Sequence, residues 1–180
     1  MRPRIILSGI SGSGKTTLGK CLEQEGYQKI PNVTTRTPRL GESEKDYIFV
    51  DEETFAQWRD QQRFAFTRIT NGVWHGLLKE SVDLLKENKG RYRLDKSVPA
   101  ARELATILSP ERVTFIYLLA PSFGILRERI GSRSSHESDE ALFARFREEI
   151  GEMLESHSLS YAYVVNDSIE RMMRELRDIL

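Results

Sequence analysis

The chain predicts an α/β fold, a P-loop doubly wound parallel sheet with one inserted lobe and one lid. Three observations predict it. The apolar run Arg4-Ile5-Ile6-Leu7-Ser8 leads straight into Gly9-Ile10-Ser11-Gly12-Ser13-Gly14-Lys15-Thr16, a complete G-x-x-x-x-G-K-[ST] pattern. Strand-like and helix-like runs then alternate along most of the chain. Two stretches, about residues 27–78 and 131–138, interrupt that alternation.

The first core strand, 5–8, is built of residues suited to burial, and a helix over 16–25 follows the glycine-rich turn. In that arrangement backbone N–H groups turn inward toward phosphate oxygens and the positive end of the helix dipole adds to their field. Gly9, Ser11, Gly12, Ser13, Gly14, Lys15, Thr16 and Thr17 are therefore the candidate contacts of a nucleoside triphosphate. Lys15 would reach the β- and γ-phosphates, and Thr16 would offer its hydroxyl to Mg²⁺. In the first interruption, strand-like pieces at 47–50, 64–70 and 73–77 predict a small sheet, the last two joined by the turn signal Asn71-Gly72.

After it come helices at 79–88, 99–108, 122–130, 139–156 and 168–180, with core strands at 92–95, 113–119 and 161–165. The polar segment Gly131-Ser132-Arg133-Ser134-Ser135-His136-Glu137-Ser138 lies between arginine-bearing helices and predicts a lid over about 131–145. The expected organisation is a single domain, with core 1–30 and 79–180 and a lobe over about 31–78.

Composition narrows the function classes. Lys and Arg total 27 and Asp and Glu total 27, so no overall field draws the chain to nucleic acid or to an anionic membrane. Cys21 is the single cysteine, which excludes a disulfide framework and fits a reducing compartment. The N-terminus runs directly into a predicted strand, so no signal peptide is expected, and no apolar run reaches membrane-spanning length. A cytoplasmic location is expected, with a small phosphorylated molecule as partner and nothing to indicate an oligomeric state.

Inside the lobe stands Thr34-Thr35-Arg36-Thr37-Pro38-Arg39-Leu40-Gly41-Glu42, followed by Asp46-Tyr47. Pro38 stiffens the segment between two arginines, so both guanidinium groups can be projected toward one phosphate, with Tyr47 as a neutral donor. The alternative is a pair of solvated surface arginines. On these residues, together with the P-loop, Pro121-Ser122, Leu126-x-x-Arg129-Ile130-x-x-Arg133, Arg145 and Tyr163-Val164-Val165-Asn166-Asp167, the chain resembles the guanylate kinase family. The resemblance implies an ATP-dependent phosphotransferase with an acceptor-binding lobe and a lid. It implies that Arg36, Arg39 and Tyr47 hold the acceptor's phosphate, that Arg129, Arg133 and Arg145 act with Lys15 in catalysis, and that Asn166 lies near adenine. Read without it, those three arginines are helix-surface residues paired with nearby glutamates. The acceptor phosphate is already ionised at neutral pH, so alignment and charge neutralisation suffice without a general base.

The sequence departs from the family in the acceptor pocket. Phe66 occupies the position of a glutamate that reads the N1–H and N2–H₂ edge of guanine, and no Asp or Glu lies between Asp60 and Glu80. His75 replaces a phosphate-contacting tyrosine, Leu77 a small hydroxyl residue and Asn32 a serine. Asp95 is left as an acceptor for a sugar hydroxyl or a Mg²⁺-bound water, or as a strand-end cap. Asn32, Arg36, Arg39, Tyr47, Phe66, His75 and Asp95 are thus the candidate acceptor-site residues. Phe66 and Trp74 are read either as pocket walls or as lobe core. The expected activity is transfer of the γ-phosphate of ATP to a nucleoside monophosphate, with GMP a poor acceptor. A sugar-phosphate kinase similar to ribose 1,5-bisphosphate phosphokinase and a non-catalytic phosphate- or phosphopeptide-binding module are the alternatives.

Overall fold

The computed structural model describes residues 4–39, 42–70, 72–87, 89–108, 113–131 and 139–180, and for some residues between 139 and 149 the backbone alone. In chain order the elements are β1 (Arg4–Gly9), α1 (Lys15–Gln24), β2 (Gln28–Lys29), β3 (Asn32–Thr34), β4 (Tyr47–Phe49), α2 (Glu52–Asp60), β5 (Phe64–Thr70), β6 (Val73–Leu78) and α3 (Lys79–Glu87). They continue as β7 (Tyr92–Asp95), α4 (Val98–Ile107), β8 (Thr114–Leu119), α5 (Phe123–Gly131), α6 (Asp139–Glu155), a 3₁₀ turn at Ser156–Ser158, β9 (Tyr161–Val165) and α7 (Ile169–Ile179).

Five strands form a parallel sheet in the order β2-β7-β1-β8-β9. Alternation along the strands sends neighbouring residues to opposite faces, which is why the near-continuous apolar runs build two cores. Ile6, Leu94, Phe115 and Tyr117 pack with Val82, Leu85, Leu104 and Leu126 from α3, α4 and α5. Ile5, Leu7, Ile116, Leu118 and Val164 pack with Leu18 and Leu22 of α1 and with Met172, Met173 and Leu176 of α7. Each fully buried aliphatic side chain contributes on the order of 1.5–3 kcal/mol. The expected doubly wound sheet is therefore present, with β7 and β9 bounded as the sequence predicts.

The inserted lobe is a second sheet, ordered β4-β3-β6-β5, with α2 packed on it. Its core joins Val33, Phe55, Phe64 and Leu78, with Trp58 and Trp74 against them, and the Phe55 and Phe64 rings stack at 4.6 Å. Gly76 permits this packing, since a Cβ there would lie 2.6 Å from the Phe64 ring. Three elements go beyond the sequence expectation. β2 and β3 are too short to carry a periodic signal. α2 buries Phe55 alone, and its start is set by Asp51, whose carboxylate accepts the Thr54 N–H at 2.7 Å. The expected lid falls largely on residues 132–138, which lie outside the described residues; α5 and the backbone of α6 flank it. No helix among the described residues is long and apolar enough to cross a membrane.

Candidate active site

The P-loop connects the carboxyl end of β1 to α1. Gly9, Gly12 and Gly14 all have positive φ, at 148°, 78° and 102°. Ser13 N–H donates to Ile10 O at 3.1 Å and closes the turn, and Leu18 N–H to Gly14 O at 3.0 Å begins the helix. Gly14 caps α1 without a side-chain acceptor, and the first turn holds no acid, so the N-terminal N–H groups of α1 face an anion site that its own side chains leave open. Lys15 Nζ donates to the carbonyls of Gly9 at 2.5 Å and Ile10 at 3.1 Å, which places its ammonium over the loop. Thr16 and Thr17 are exposed at the start of α1, and the buried Ser13 Oγ has no hydrogen-bond partner in the protein. These features fit a triphosphate with its Mg²⁺, the Thr16 hydroxyl being available to the metal.

Two side chains from elsewhere lock onto the loop. Asn166, following β9, donates its amide to Ser13 O at 2.7 Å and is buried, so bracing of the loop accompanies any contact it makes with adenine. Arg129 of α5 donates to Gly12 O at 3.3 Å, which sets this arginine at the phosphate loop. Arg133 lies outside the described residues, and Arg145 is described only by its backbone in α6.

A Cβ at position 14 would sit 1.9 Å from Asn166 Nδ2, in a backbone conformation that side chains resist. Gly14→Ala is therefore expected to lower stability by about 1–3 kcal/mol from backbone strain alone. It should also weaken ATP binding, as urea midpoints and nucleotide titration would show.

The lobe sheet carries the residues that the sequence puts forward for the acceptor. Strand registers pair Asn32 with Tyr47, Thr34 with Phe49, Thr34 with His75, Arg68 with His75 and Phe66 with Leu77, so these residues share the face opposite the lobe core. A bulge between Phe64 and Phe66 makes this possible: Phe64 pairs with Leu78 on the core face, and Phe66 is turned to the other. Trp74 packs in the lobe core, whereas Phe66 packs against the main core and faces Lys96, whose Nζ is 4.7 Å from its ring centroid.

Arg36 lies 5.2 Å from the Tyr47 ring and 5.7 Å from the Phe49 ring, and its Nη2 donates to both Glu42 oxygens at 2.9 and 2.8 Å. Arg39 is exposed and donates its backbone N–H to Glu42 at 2.8 Å. The two guanidinium groups thus differ in setting, and Glu42 holds Arg36 on the sheet face. Burial raises the Tyr47 hydroxyl pKa, and burial, then the charges of Arg36 and Lys96, lower that of His75, so both remain neutral at pH 7.

The lobe face meets the main sheet at the carboxyl end of β7. Asn32 Nδ2 donates to Asp95 O at 3.2 Å, Lys96 Nζ donates to Asn32 Oδ1, and Lys96 N–H donates to Leu7 O at 3.0 Å on β1. Lys29 bridges Asp46 at 3.0 Å and Asp95 at 3.7 Å, and Arg93 lies 3.8 Å from the other Asp95 oxygen. Asp95 is thus held in ion pairs at the carboxyl end of β7. Leu7 and Asp95 are register partners, so the P-loop and this face of the lobe lie side by side at the strand ends.

Burial, opposed in part by the charge of Glu103, pushes the Lys96 ammonium down to about 7. Arg68 lowers it further and Asp95 raises it. Between that value and the ordinary 10.5 the unfolded chain binds the extra proton, so this group opposes folding most at low pH and the opposition fades as pH rises toward 10.5. Lys96→Met is expected to raise the thermal midpoint at pH 7, with a smaller gain at pH 10. A gain that grows with pH would contradict the burial of the charge.

The family described as guanylate kinase matches residues 1–180. The chain belongs to the guanylate kinase family. A guanylate kinase of Geobacter sulfurreducens is 36% identical over 97% of the chain and 86% of that protein. Another, of Nitratidesulfovibrio vulgaris, is 34% identical over 96% of the chain and 83% of its own length. The crystal structure of guanylate kinase from Anaplasma phagocytophilum superposes with a TM-score of 0.75 at 24% identity, covering 99% of this chain and 84% of that one, and so shares the fold. Guanylate kinases are nucleotide kinases that use ATP and, in general, Mg²⁺, and this chain is an ATP-dependent phosphotransferase of that family. The enzymatic reading thus stands over the binding-module alternative.

Within this guanylate kinase scaffold, sequence reasoning passed over Glu42, Lys29 and Lys96. Glu42 was visible as the last residue of the arginine motif. The two lysines gave no local signal, because their partners are 17 and 64 residues away.

Proposed function

We propose that the chain transfers the γ-phosphate of ATP to the phosphate of a nucleoside monophosphate seated on the inner face of the lobe sheet. The supporting observation is the meeting of two anion sites at adjacent strand ends, through the register of Leu7 with Asp95 and the Lys96–Leu7 hydrogen bond. In this reading the α1 N-terminus and Lys15 hold the donor phosphates. Arg36, Arg39, Tyr47 and His75 hold the acceptor phosphate, and Arg129, with Arg133 and Arg145 from the lid region, neutralises charge in transfer. Mg²⁺ bound at Thr16 would supply further neutralisation. The side chains align two phosphates and exclude water, and none has to remove a proton.

The names of the relatives indicate GMP as acceptor, against the expectation drawn from Phe66 that GMP is a poor one. GMP is therefore the first acceptor in this reading, and a sugar phosphate is secondary. Release of ADP from ATP and Mg²⁺ is measured with GMP, other nucleoside monophosphates and a pentose bisphosphate. Turnover with GMP is expected. Turnover confined to the pentose bisphosphate would overturn the proposal.

A further inference from the structure

The acceptor face has two ends. Arg36 and His75 stand at one; Tyr47, Asn32, Phe66 and Lys96 stand at the other, about 7 Å along β6 from His75 to Leu77 beside Phe66. The carboxylates nearest the second end are engaged elsewhere. Glu103 pairs with Arg68 at 3.2 Å, and Asp95 lies between Lys29 and Arg93. Asn32 Oδ1 accepts from Lys96, and Asn32 Nδ2 donates to Asp95 O. Phe66 offers a ring face and no lone pair. The hydrogen-bond donor at this end is therefore Lys96, whose pKa burial pushes down to about 7 and which gives one hydrogen to Asn32. Such an end gives a base hydrogen bonds, and its nearest carboxylates are held in ion pairs.

A 6-oxopurine presents O6 and N7 as adjacent acceptors, a pair that lysine matches well, whereas adenine places an N6–H₂ donor where O6 would be. We propose that Lys96 is a specificity-determining residue that reads the acceptor base through O6 and N7, so that the pocket selects 6-oxopurine nucleotides and does not distinguish those with a 2-amino group from those without. The proposal rests on the nucleotide-kinase reading above and names its substrate class. It also reconciles the relatives' names with Phe66: guanine is held by a different edge. Lys96 would hold the base while Arg36 holds the phosphate, so its removal acts on binding of the acceptor rather than on transfer.

The test compares GMP, inosine monophosphate and AMP as acceptors with ATP and Mg²⁺, in the native enzyme and in Lys96→Met and Lys96→Gln. In the native enzyme GMP and inosine monophosphate are expected to agree in kcat/KM within about threefold, with AMP about 100-fold lower. Lys96→Met should raise KM for both oxopurines about 10- to 100-fold, leave kcat within a few-fold and largely abolish discrimination against AMP. Lys96→Gln, which keeps a donor, should recover part of the loss, and circular dichroism melts establish that both variants fold. GMP exceeding inosine monophosphate by about 100-fold or more would overturn the proposal, because the 2-amino group would then be read. An unchanged oxopurine-to-AMP ratio in Lys96→Met would overturn it as well. Either result leaves the nucleotide-kinase reading intact, whereas failure of all three nucleotides as acceptors, with ATP still bound, would overturn that reading and this one with it.

Discussion

Lys15→Met is expected to lower kcat about 10²- to 10³-fold, equivalent to about 2.7–4 kcal/mol of transition-state stabilisation. In the structure its ammonium is held over the loop by the carbonyls of Gly9 and Ile10, and phosphate oxygens are the stronger partners for it when ATP binds. The charge on the transferring phosphoryl group is spread over its equatorial oxygens, and a cation fixed by a closed loop meets that charge without reorganisation. The loop itself should persist, because its closure depends on Ser13 N–H to Ile10 O, Leu18 N–H to Gly14 O and the Asn166 brace. Stopped-flow transfer rates with a thermal melt of the same protein check both halves. A variant that transfers at the native rate would remove Lys15 from the donor site.

Arg36→Met is expected to raise KM for the acceptor by about 10²-fold, close to the loss of a charge-assisted, doubly bonded contact, with ATP affinity unchanged. Arg36 is already aimed at the sheet face by Glu42, Tyr47 and Phe49, so little ordering remains to be done when a phosphate arrives. The exposed Arg39 has no such support, and Arg39→Met should cost less. Initial-rate kinetics with each substrate varied separate the two constants. Equal weakening of ATP and acceptor would place Arg36 at the donor site instead.

Much of this was legible along the chain. The parallel sheet could be read because β1 and β8 are buried along most of their length and appear as apolar runs, and the P-loop because its chemistry is written in eight consecutive residues. Arg36 stood out as a candidate in a proline-stiffened motif, and Tyr47 as a candidate a few residues after it. The base end of the acceptor site was not legible. Phe64 and Phe66 are two residues apart and by strict alternation belong to one face, yet a bulge sends them to opposite faces. Lys96 joins the site by reaching across 64 residues to Asn32, a contact that only the packing of the lobe on β7 creates. Helix α2 was missed because one buried aromatic on a charged segment gives almost no periodic signal.

The central claim is that donor and acceptor phosphates meet between the P-loop and the lobe face. ³¹P NMR of the enzyme with ATP, Mg²⁺ and GMP tests it most directly. The account predicts ADP and GDP rising together in a one-to-one ratio, with no release of inorganic phosphate. Consumption of ATP to ADP and inorganic phosphate, with the GMP resonance unchanged, would contradict it.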